Sequence, residues 1–167
     1  MHEYPHDKET ALRKRVLGVL AGLLATVGSA FGVAASPAAA DTVDPWSQCG
    51  SDYVVKYKIE IKERQPVGDP DNISAVGTLW VMRNRSSDTH CVLTTKKYRT
   101  ERWTAAGIGY VSESGYRVLD ADNYVDFAGP AYLERNDRTL KAYGRVGDGK
   151  VWVRCTTSCW LHDFAYS

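Results

Sequence analysis

Hydrophobic and polar side chains alternate one by one along residues 55–62, so that every second side chain is apolar and its neighbour is charged. In an extended strand, successive side chains point to opposite faces. This period of two therefore predicts a strand with one buried face and one solvated face. The apolar positions are Val55, Tyr57, Ile59 and Ile61, and the charged positions are Lys56, Lys58, Glu60 and Lys62.

Strand-like segments recur along the rest of the chain, and short polar turns separate them. The turn at 85–88 (RSSD) indicates a hairpin, and Gly147-Asp148-Gly149 has the composition that a tight hairpin favours. No segment keeps a helical period of 3.6 residues over any length. The pattern predicts an all-β fold, a single compact antiparallel β-sandwich or small β-barrel. The further predicted strands span residues 77–84, 89–96, 102–110, 116–119, 132–134, 139–146 and 150–154.

Residues 124–134, YVDFAGPAYLE, interrupt this pattern with an Ala-Gly-Pro sequence between aromatic residues. Pro130 lacks the N–H that a sheet ladder needs, and Gly129 tolerates backbone angles that other residues avoid. A strand must therefore bend, bulge or run at a sheet edge here. We interpret this stretch as a structural motif, rather than a binding site, in which aromatic side chains pack across the bend. Its members are Phe127, Ala128, Gly129, Pro130 and Tyr132.

The first 40 residues have the three parts of a secretory signal peptide in order. A basic cluster at 13–15 precedes an almost wholly apolar run from Val16 to Val33, and small residues follow at 36–40. We expect cleavage after Ala40, which leaves residues 41–167 as a single all-β domain. The alternative is that the apolar run is kept as a membrane anchor, since roughly 20 apolar residues span a bilayer.

All four cysteines, Cys49, Cys91, Cys155 and Cys159, follow the expected cleavage site. An even number of cysteines in an exported domain predicts two disulfide bonds, and three pairings are compatible with the sequence. A metal site would need all four thiolates or added histidines, of which the domain has only His90 and His162, and an oxidising exterior disfavours thiolate ligation. We therefore expect no metal and no other cofactor.

The expected mature domain has no net formal charge. Residues 1–40 contain four of the 21 basic and three of the 20 acidic residues, which leaves 17 of each in residues 41–167. We expect no basic stripe that could neutralise the phosphates of a polyanion. Nucleic acid and anionic membrane surfaces are therefore poor candidate partners.

Two groups of polar residues are candidates for catalysis. Asp120, Asp122 and Asp126 could hold a general acid and base, as the paired carboxylates of glycosidases do. Asp120 and Asp122 lie in LDADN, however, which is a composition typical of a turn. A nucleophile and base could come from Ser112, Ser114, His90 and His162, but no nucleophile-elbow sequence surrounds either serine. We therefore expect no catalytic residues and no enzyme activity.

Two further segments are candidate contact surfaces. The run KKYRTER at 96–102 is the densest charged segment, and a solvated connection between strands explains it without a partner. Near the carboxyl end, Trp160, Phe164 and Tyr166 form an aromatic tail that must dock on the core or stay exposed. We expect this tail to dock beside Cys159.

Three segments of the domain resemble the spore-associated protein A family of filamentous actinobacteria. They are residues 49–55 (CGSDYVV), 77–94 and 123–132, where the family's usual Tyr-Ala-Gly-Pro stands as Phe127-Ala128-Gly129-Pro130. The resemblance covers most of residues 47–160. It implies a small exported protein associated with spores or the aerial cell surface, with no established catalytic residues.

The resemblance also implies a disulfide pairing. The family usually has a cysteine a few residues after the Ala-Gly-Pro strand, near Thr139-Leu140-Lys141 of this chain, which has Cys155 instead. If the family's first and last cysteines pair, the resemblance implies Cys49–Cys159 and Cys91–Cys155. The alternative is Cys49–Cys91 with a local Cys155–Cys159 bridge.

The first functional hypothesis is an exported, non-enzymatic protein whose partner is the spore or cell-envelope surface. The second is a secreted protein-binding module such as a protease inhibitor, with another secreted protein as its partner. Small disulfide-stapled domains display loops rigidly, and its loop would be 65–74 or 156–158. A small secreted hydrolase is the third. Nucleic acid is not an expected partner, nor is a membrane once the signal peptide is cleaved.

Overall fold

Nine β-strands and one short helix form the part of the chain that the structure, a computed structural model, describes. This part is residues 43–64 and 73–165, with side chains up to residue 161. The helix is α1 (Pro45–Cys49), and the strands are β1 (Tyr53–Arg64), β2 (Ile73–Asn84), β3 (Thr89–Lys96), β4 (Arg102–Tyr110), β5 (Val118–Tyr124), β6 (Phe127–Glu134), β7 (Leu140–Val146), β8 (Gly149–Cys155) and β9 (Cys159–Ala165).

The strands make two antiparallel sheets that share one apolar core. The strand order is β1-β2-β3-β6 in the first sheet and β5-β4-β7-β8-β9 in the second. Leu79 and Val92 of the first sheet and Ile108 and Val153 of the second are completely buried in this core. Burial of aliphatic side chains is the main favourable term in folding. The predicted all-β fold, with sheets packed as a sandwich, is confirmed.

The predicted strands at 89–96 and 102–110 coincide with β3 and β4, whereas LDADN was interpreted wrongly. LDADN is part of strand β5 rather than a turn, because β4 supplies a full antiparallel partner from Arg102 to Ile108. Tertiary pairing overrides local propensity there. The aromatic tail docks beside Cys159 as strand β9, which pairs along β8 from Cys155 to Lys150, although Trp160 itself stays 45% exposed. Tyr166 lies outside the described residues.

The Ala-Gly-Pro stretch forms β6, which is an edge strand of the first sheet. Gly129 has a φ of +96°, and the Gly129–Pro130 peptide bond is cis. The pairing with β3 shifts register between Val92 and Thr94, opposite this point. Because the irregular backbone lies at an edge and is accompanied by a register shift, the predicted bend in an edge strand is confirmed.

All four cysteines form disulfides, but the pairing that the resemblance implies is wrong. The bonds are Cys49–Cys91 and Cys155–Cys159, with Cα–Cα distances of 6.0 Å and 4.0 Å. Cys49 ends α1 and packs against the outer face of the first sheet, whereas Cys155 and Cys159 lie opposite each other on β8 and β9 of the second sheet. Cys49 and Cys159 are thus on different sheets. The two disulfides indicate an oxidising environment.

Residues 43–50 cover part of the outer face of the first sheet. We call this outer face the covered face. Asp44 caps α1 by accepting a hydrogen bond from the Trp46 N–H at 3.1 Å. The helix is a single turn, too short for a helical period to be visible in the sequence. Beneath it, a second apolar cluster contains Cys49, Met82, Cys91 and Leu93.

No helix within residues 43–64 and 73–165 is long and apolar enough to cross a membrane. The predicted signal peptide and its alternative as an anchor lie outside the described residues, as does most of the predicted loop at 65–74.

Candidate functional site

The outer face of the second sheet carries an arrangement of aromatic and basic side chains on its two hairpin strands, β7 and β8. On β7, Leu140, Ala142, Gly144 and Val146 point into the core, so Lys141, Tyr143 and Arg145 point outward. On β8, the same alternation directs Lys150, Trp152 and Arg154 outward. We call the outward surface formed by these six side chains and Trp160 the open face.

Aromatic rings form the centre of the open face. The ring of Tyr143 stacks between Tyr116 and Trp152, at centroid distances of 5.4 Å and 5.5 Å. Tyr116 reaches this position because Gly107 has no side chain; a Cβ there would lie 3.3 Å from Cγ of Tyr116. Burial raises the pKa of Tyr116 to about 12. Trp152 is the last ring of the stack, so only one of its ring faces is covered by an aromatic neighbour among the described residues.

Basic side chains lie on both sides of this aromatic row. Arg145 is directly opposite Lys150 on one side, and Lys141 is directly opposite Arg154 on the other. Residues two apart on a strand are separated by roughly 7 Å, so each basic pair is that far from the aromatic row. The neutral total of the domain therefore conceals a local concentration of positive charge, and the expectation of no basic stripe is wrong for this face.

A small cavity opens between the aromatic row and one basic pair. It has a volume of about 200 Å³ and is lined by Lys141, Trp152 and Arg154 together with Val111 and Val153. Trp160, which is opposite Arg154 on β9, is 45% exposed beside it. Pockets for drug-sized ligands measure roughly 300–1,000 Å³, so this cavity has room for a single small ring.

The candidate catalytic aspartates each have hydrogen-bond or ion-pair partners within the domain. Asp120 accepts hydrogen bonds on both carboxylate oxygens, from the Tyr124 hydroxyl and from the Gly129 N–H, the latter at 2.6 Å. Asp126 and Asp120 line the same open depression of about 410 Å³, but Asp126 is paired with Arg99 at 2.8 Å. Asp122 accepts a hydrogen bond from the N–H of the next residue. Asp120 thus connects β5 of the second sheet to β6 of the first.

The candidate nucleophiles and bases lie on different parts of the sandwich. Ser112 is in the β4–β5 connection, where its hydroxyl accepts a hydrogen bond from Arg138 at 2.9 Å, and Ser114 is exposed in the same connection. His90 is on β3, only 2% exposed, with Nδ1 3.2 Å from the carbonyl oxygen of Asp88. Burial lowers its pKa. The side chain of His162 lies outside the described residues.

The charged run at 96–102 is partly integrated into the fold. Lys96 is buried, and its Nζ donates to the Tyr124 carbonyl oxygen at 2.7 Å, so the expectation of a solvated segment is wrong for this residue. Arg102 pairs with the buried Glu63 at 2.7 Å. Residues 97–100 are exposed, in agreement with the expectation. This run does not present a block of unpaired cations.

A cavity of about 280 Å³ lies beside Trp80 on the outer face of the first sheet. Lys58 Nζ lies 4.5 Å from the centroid of the Trp80 ring, and the Trp80 Nε1–H donates to the Thr95 hydroxyl at 3.0 Å. The chain itself thus supplies a cation and a hydrogen-bond acceptor to this indole, which makes it a weaker candidate than the open face.

Sequence reasoning missed the open face, although the sequence contains a signal for it. The segments Lys141-Ala142-Tyr143-Gly144-Arg145 and Lys150-Val151-Trp152-Val153-Arg154 share the pattern cation-x-aromatic-x-cation. With a period of two, each segment puts three such side chains on one face.

Comparisons with known proteins identify no relatives: the chain matches no protein-family model, no curated protein and no solved structure. The relationship to the spore-associated protein A family therefore stays a prediction.

Proposed function

We propose that this chain is an exported, non-enzymatic protein that associates with the spore or cell surface through its open face. The observation that carries the proposal is the row of Tyr143 and Trp152 between two basic pairs, with no described segment covering it. These side chains are half-buried, and the exposed Trp160 extends the patch, which is of a kind typical of interaction surfaces. The resemblance to the spore-associated protein A family supports the same location.

The surroundings of the candidate catalytic groups favour binding over catalysis. A general base must lie within hydrogen-bond reach of its substrate. Asp120 uses both carboxylate oxygens to connect Tyr124 and the Gly129 N–H within the domain, and His90 is buried. These groups have structural partners that account for them without a reaction.

Fractionation of sporulating cultures tests this proposal. We expect an antibody against the full chain to detect it on spores and cell walls, and about 1 M salt to release it by shortening the screening length to roughly 3 Å. The double variant Lys150→Gln/Arg154→Gln should be found mainly in the medium. As a matched control, Lys56→Gln/Arg64→Gln removes two exposed charges from the first sheet and should stay bound. Recovery of the wild-type chain only from the medium would contradict the proposal.

A protease inhibitor is the second candidate, and one observation favours it. Residues 156–158 form a tip that the Cys155–Cys159 disulfide closes, with a backbone hydrogen bond from the Thr156 N–H to the Ser158 carbonyl oxygen at 2.9 Å. A locked tip binds with little loss of conformational entropy. If this candidate is right, Thr157→Ala should weaken inhibition of an extracellular protease, and absence of any inhibition by the intact chain would eliminate it.

A further inference from the structure

We propose that the ligand of the open face is an acidic polysaccharide, with one sugar ring packed against Trp152 and its acidic groups paired with the flanking basic residues. This inference rests on the proposed function, because it names the component of the surface that the open face recognises. The two cation-x-aromatic-x-cation segments are adjacent and antiparallel, so a basic residue of one strand lies opposite a basic residue of the other at both ends of the pattern. The face thus repeats one arrangement on both strands.

The charge state of the open face indicates an anionic ligand. Lys150 and Arg154 form no ion pair with any described side chain, and Arg145 is 3.7 Å from the exposed carboxylate of Asp148. Six arginines elsewhere in the domain pair with carboxylates at 2.7–3.3 Å: Arg83 and Arg135 with Asp88, Arg99 with Asp126, Arg102 with Glu63, and Arg117 and Arg138 with Glu113. On the open face, Lys141 donates to the Glu113 carbonyl oxygen and Arg145 donates to the Gly147 carbonyl oxygen at 2.6 Å. Lys150 and Arg154, one from each basic pair, are therefore the cations available to a ligand. Arginine is suited to bidentate pairing with carboxylate or phosphate groups.

The aromatic groups indicate that the ligand contains rings with an apolar face. Trp152 lines the cavity, and the exposed Trp160 lies beside it. The C–H face of a sugar ring removes apolar area from water when it packs on an indole, and its hydroxyl rim stays hydrated. A volume of about 200 Å³ admits one such ring rather than a larger cofactor.

The spacing of the basic pairs indicates a polymer. Lys141 and Arg145 are four residues apart on one strand, which places the two basic pairs roughly 13–14 Å from each other. A single sugar acid in the cavity reaches one pair only. A chain that crosses the aromatic row presents acidic groups to both pairs at once, and the linked contacts raise its overall affinity.

Single-stranded nucleic acid fits the open face less well. Such ligands are bound by successive aromatic side chains with free ring faces on which consecutive bases stack. Here Tyr143 is enclosed between Tyr116 and Trp152. Tyr116 packs against Gly107 and has Lys141 Nζ 5.4 Å from its ring centroid, which leaves Trp152 as the ring at the open end of the row. The face therefore accommodates one ring at a time, flanked by charges, which is the pattern that a chain of acidic sugar units matches.

Affinity electrophoresis and calorimetry of the full chain, purified with its disulfides formed, test this inference. The probes are polygalacturonate as an acidic polysaccharide, dextran as a neutral one, and oligothymidylate as a single-stranded nucleic acid. We expect binding to polygalacturonate that weakens with salt, and at least about tenfold weaker binding to the other two. Equal binding to dextran, or tighter binding to oligothymidylate, would overturn the assignment.

Two single substitutions locate the binding to the open face. Arg154→Gln removes a cation that has no ion pair among described side chains, and Trp160→Ala removes an exposed ring, so both variants should unfold at the wild-type temperature within a few degrees. We expect each to weaken polygalacturonate binding by about tenfold. The control pair Lys97→Gln/Tyr98→Ala removes an exposed cation and an exposed ring from the β3–β4 connection, and should bind as the wild type does.

The outcomes separate this inference from the proposed function. If the chain associates with spores or cell walls and Arg154→Gln and Trp160→Ala leave polygalacturonate binding unchanged, the ligand assignment is wrong while surface association stands. If the chain binds polygalacturonate through these residues but is absent from spores and cells, the proposed location is wrong and the site stands. Failure of wild-type binding to polygalacturonate at low salt overturns the inference directly.

Discussion

On the outer face of the first sheet, a lysine and a second indole pack against Trp80, whereas on the outer face of the second sheet the ring packed against Trp152 is that of Tyr143. Both indoles are half-buried. Lys58 lies over the Trp80 ring at 4.5 Å, and the ring of Trp46 meets it edge-on at 6.4 Å. Trp152 contacts Tyr143 on one side, with basic residues at strand distance but none over its ring. Similar residue types thus serve the fold on one sheet and are available to a ligand on the other.

The difference arises from a short segment of chain. Residues 43–50 lie on the first sheet, and the Cys49–Cys91 bond holds them there above Met82 and Leu93, both completely buried. No described segment does the same over β7 and β8. An aromatic side chain on an outer sheet face is therefore a candidate for ligand binding only where the chain does not cover that face.

Removal of the Cys49–Cys91 bond, which holds residues 43–50 on the first sheet, should cause the largest loss in the free energy of unfolding. The bond spans a sequence separation of 42, whereas Cys155–Cys159 spans only 4. On the chain-entropy model, the first bond contributes about 4 kcal/mol to the free energy of unfolding and the second about 2 kcal/mol. Urea denaturation of Cys49→Ala/Cys91→Ala and of Cys155→Ala/Cys159→Ala, each compared with the wild type, measures both values.

Polygalacturonate binding by the same two double variants is the control, under conditions in which each stays folded. Loss of the Cys49–Cys91 bond should leave the affinity of the open face unchanged, because Cys49 and Cys91 lie on the other sheet. A larger loss of stability from the Cys155–Cys159 variant would contradict the ranking that the chain-entropy model gives for the two bonds.

Gly129→Val should have the next largest effect, because Gly129 lies where the edges of the two sheets meet. A Cβ at this position would lie 2.7 Å from the Val92 carbonyl oxygen, and the φ of +96° is one that side-chain-bearing residues rarely adopt. The Gly129 N–H also donates to Asp120 of the second sheet. We expect the free energy of unfolding to fall by about 3 kcal/mol.

Gly115→Val is the matched control for this substitution. Gly115 has open space around its Cβ position and lies in the exposed β4–β5 connection, so the same change should cost less than about 1 kcal/mol. Normal stability of Gly129→Val, measured by thermal or urea unfolding, would show that the Ala-Gly-Pro stretch is not a structural motif.

The sequence predicted those parts of the fold in which local pattern and tertiary structure agree. The alternation from Tyr57 to Lys62 follows β1 and puts Tyr57, Ile59 and Ile61 against the core. Val55 lies beyond a register shift and packs with Met82 on the covered face, which corrects its expected place on the core face. Gly147 and Asp148 form the predicted connection between β7 and β8. LDADN misled because Asp and Asn favour turns, while an edge strand leaves their side chains near water and obtains its hydrogen bonds from β4. The disulfide pairing depends on which strands are neighbours, which no single cysteine position reveals.

The open face could have been predicted further than it was. The hairpin turn and both cation-x-aromatic-x-cation segments are visible in the sequence, and together they imply that the segments are antiparallel neighbours. What the sequence does not contain is the covering of the opposite sheet by residues 43–50, or the Tyr116 ring that completes the stack. Both depend on contacts between distant parts of the chain.

Acidification should lower the free energy of unfolding by a smaller amount. As the pH falls, the first sheet should lose stability at a higher pH than the second. Burial lowers the pKa of His90 below its ordinary value of 6.5, and the charges of Arg83 and Arg135 act in the same direction against the opposing effect of Asp88. The unfolded chain therefore binds a proton near pH 6.5 that the folded chain still excludes. The stability associated with neutral His90 is complete above pH 6.5 and is lost as the pH falls from there towards the lowered pKa of the folded state.

The second sheet responds in a separate, more acidic window. The hydrogen bond from Arg117, assisted by Arg138, lowers the pKa of Glu113 from 4.5 to about 2. The stability that ionised Glu113 contributes to the folded state is therefore present above pH 4.5 and is lost as the pH falls towards 2. Urea unfolding at pH 7.5, 6.5 and 5.5 isolates His90 from Glu113.

His90→Gln identifies the source of the first window. Glutamine keeps a side-chain donor for the Asp88 carbonyl oxygen but does not titrate, so the variant should lose less stability than the wild type between pH 7.5 and 5.5. Any titration of His162 is common to both proteins and cancels in the difference. Identical pH dependence in the two proteins would mean that His90 can be protonated without disturbing the first sheet. The first and second sheets would then not differ in their response to acid in this pH range.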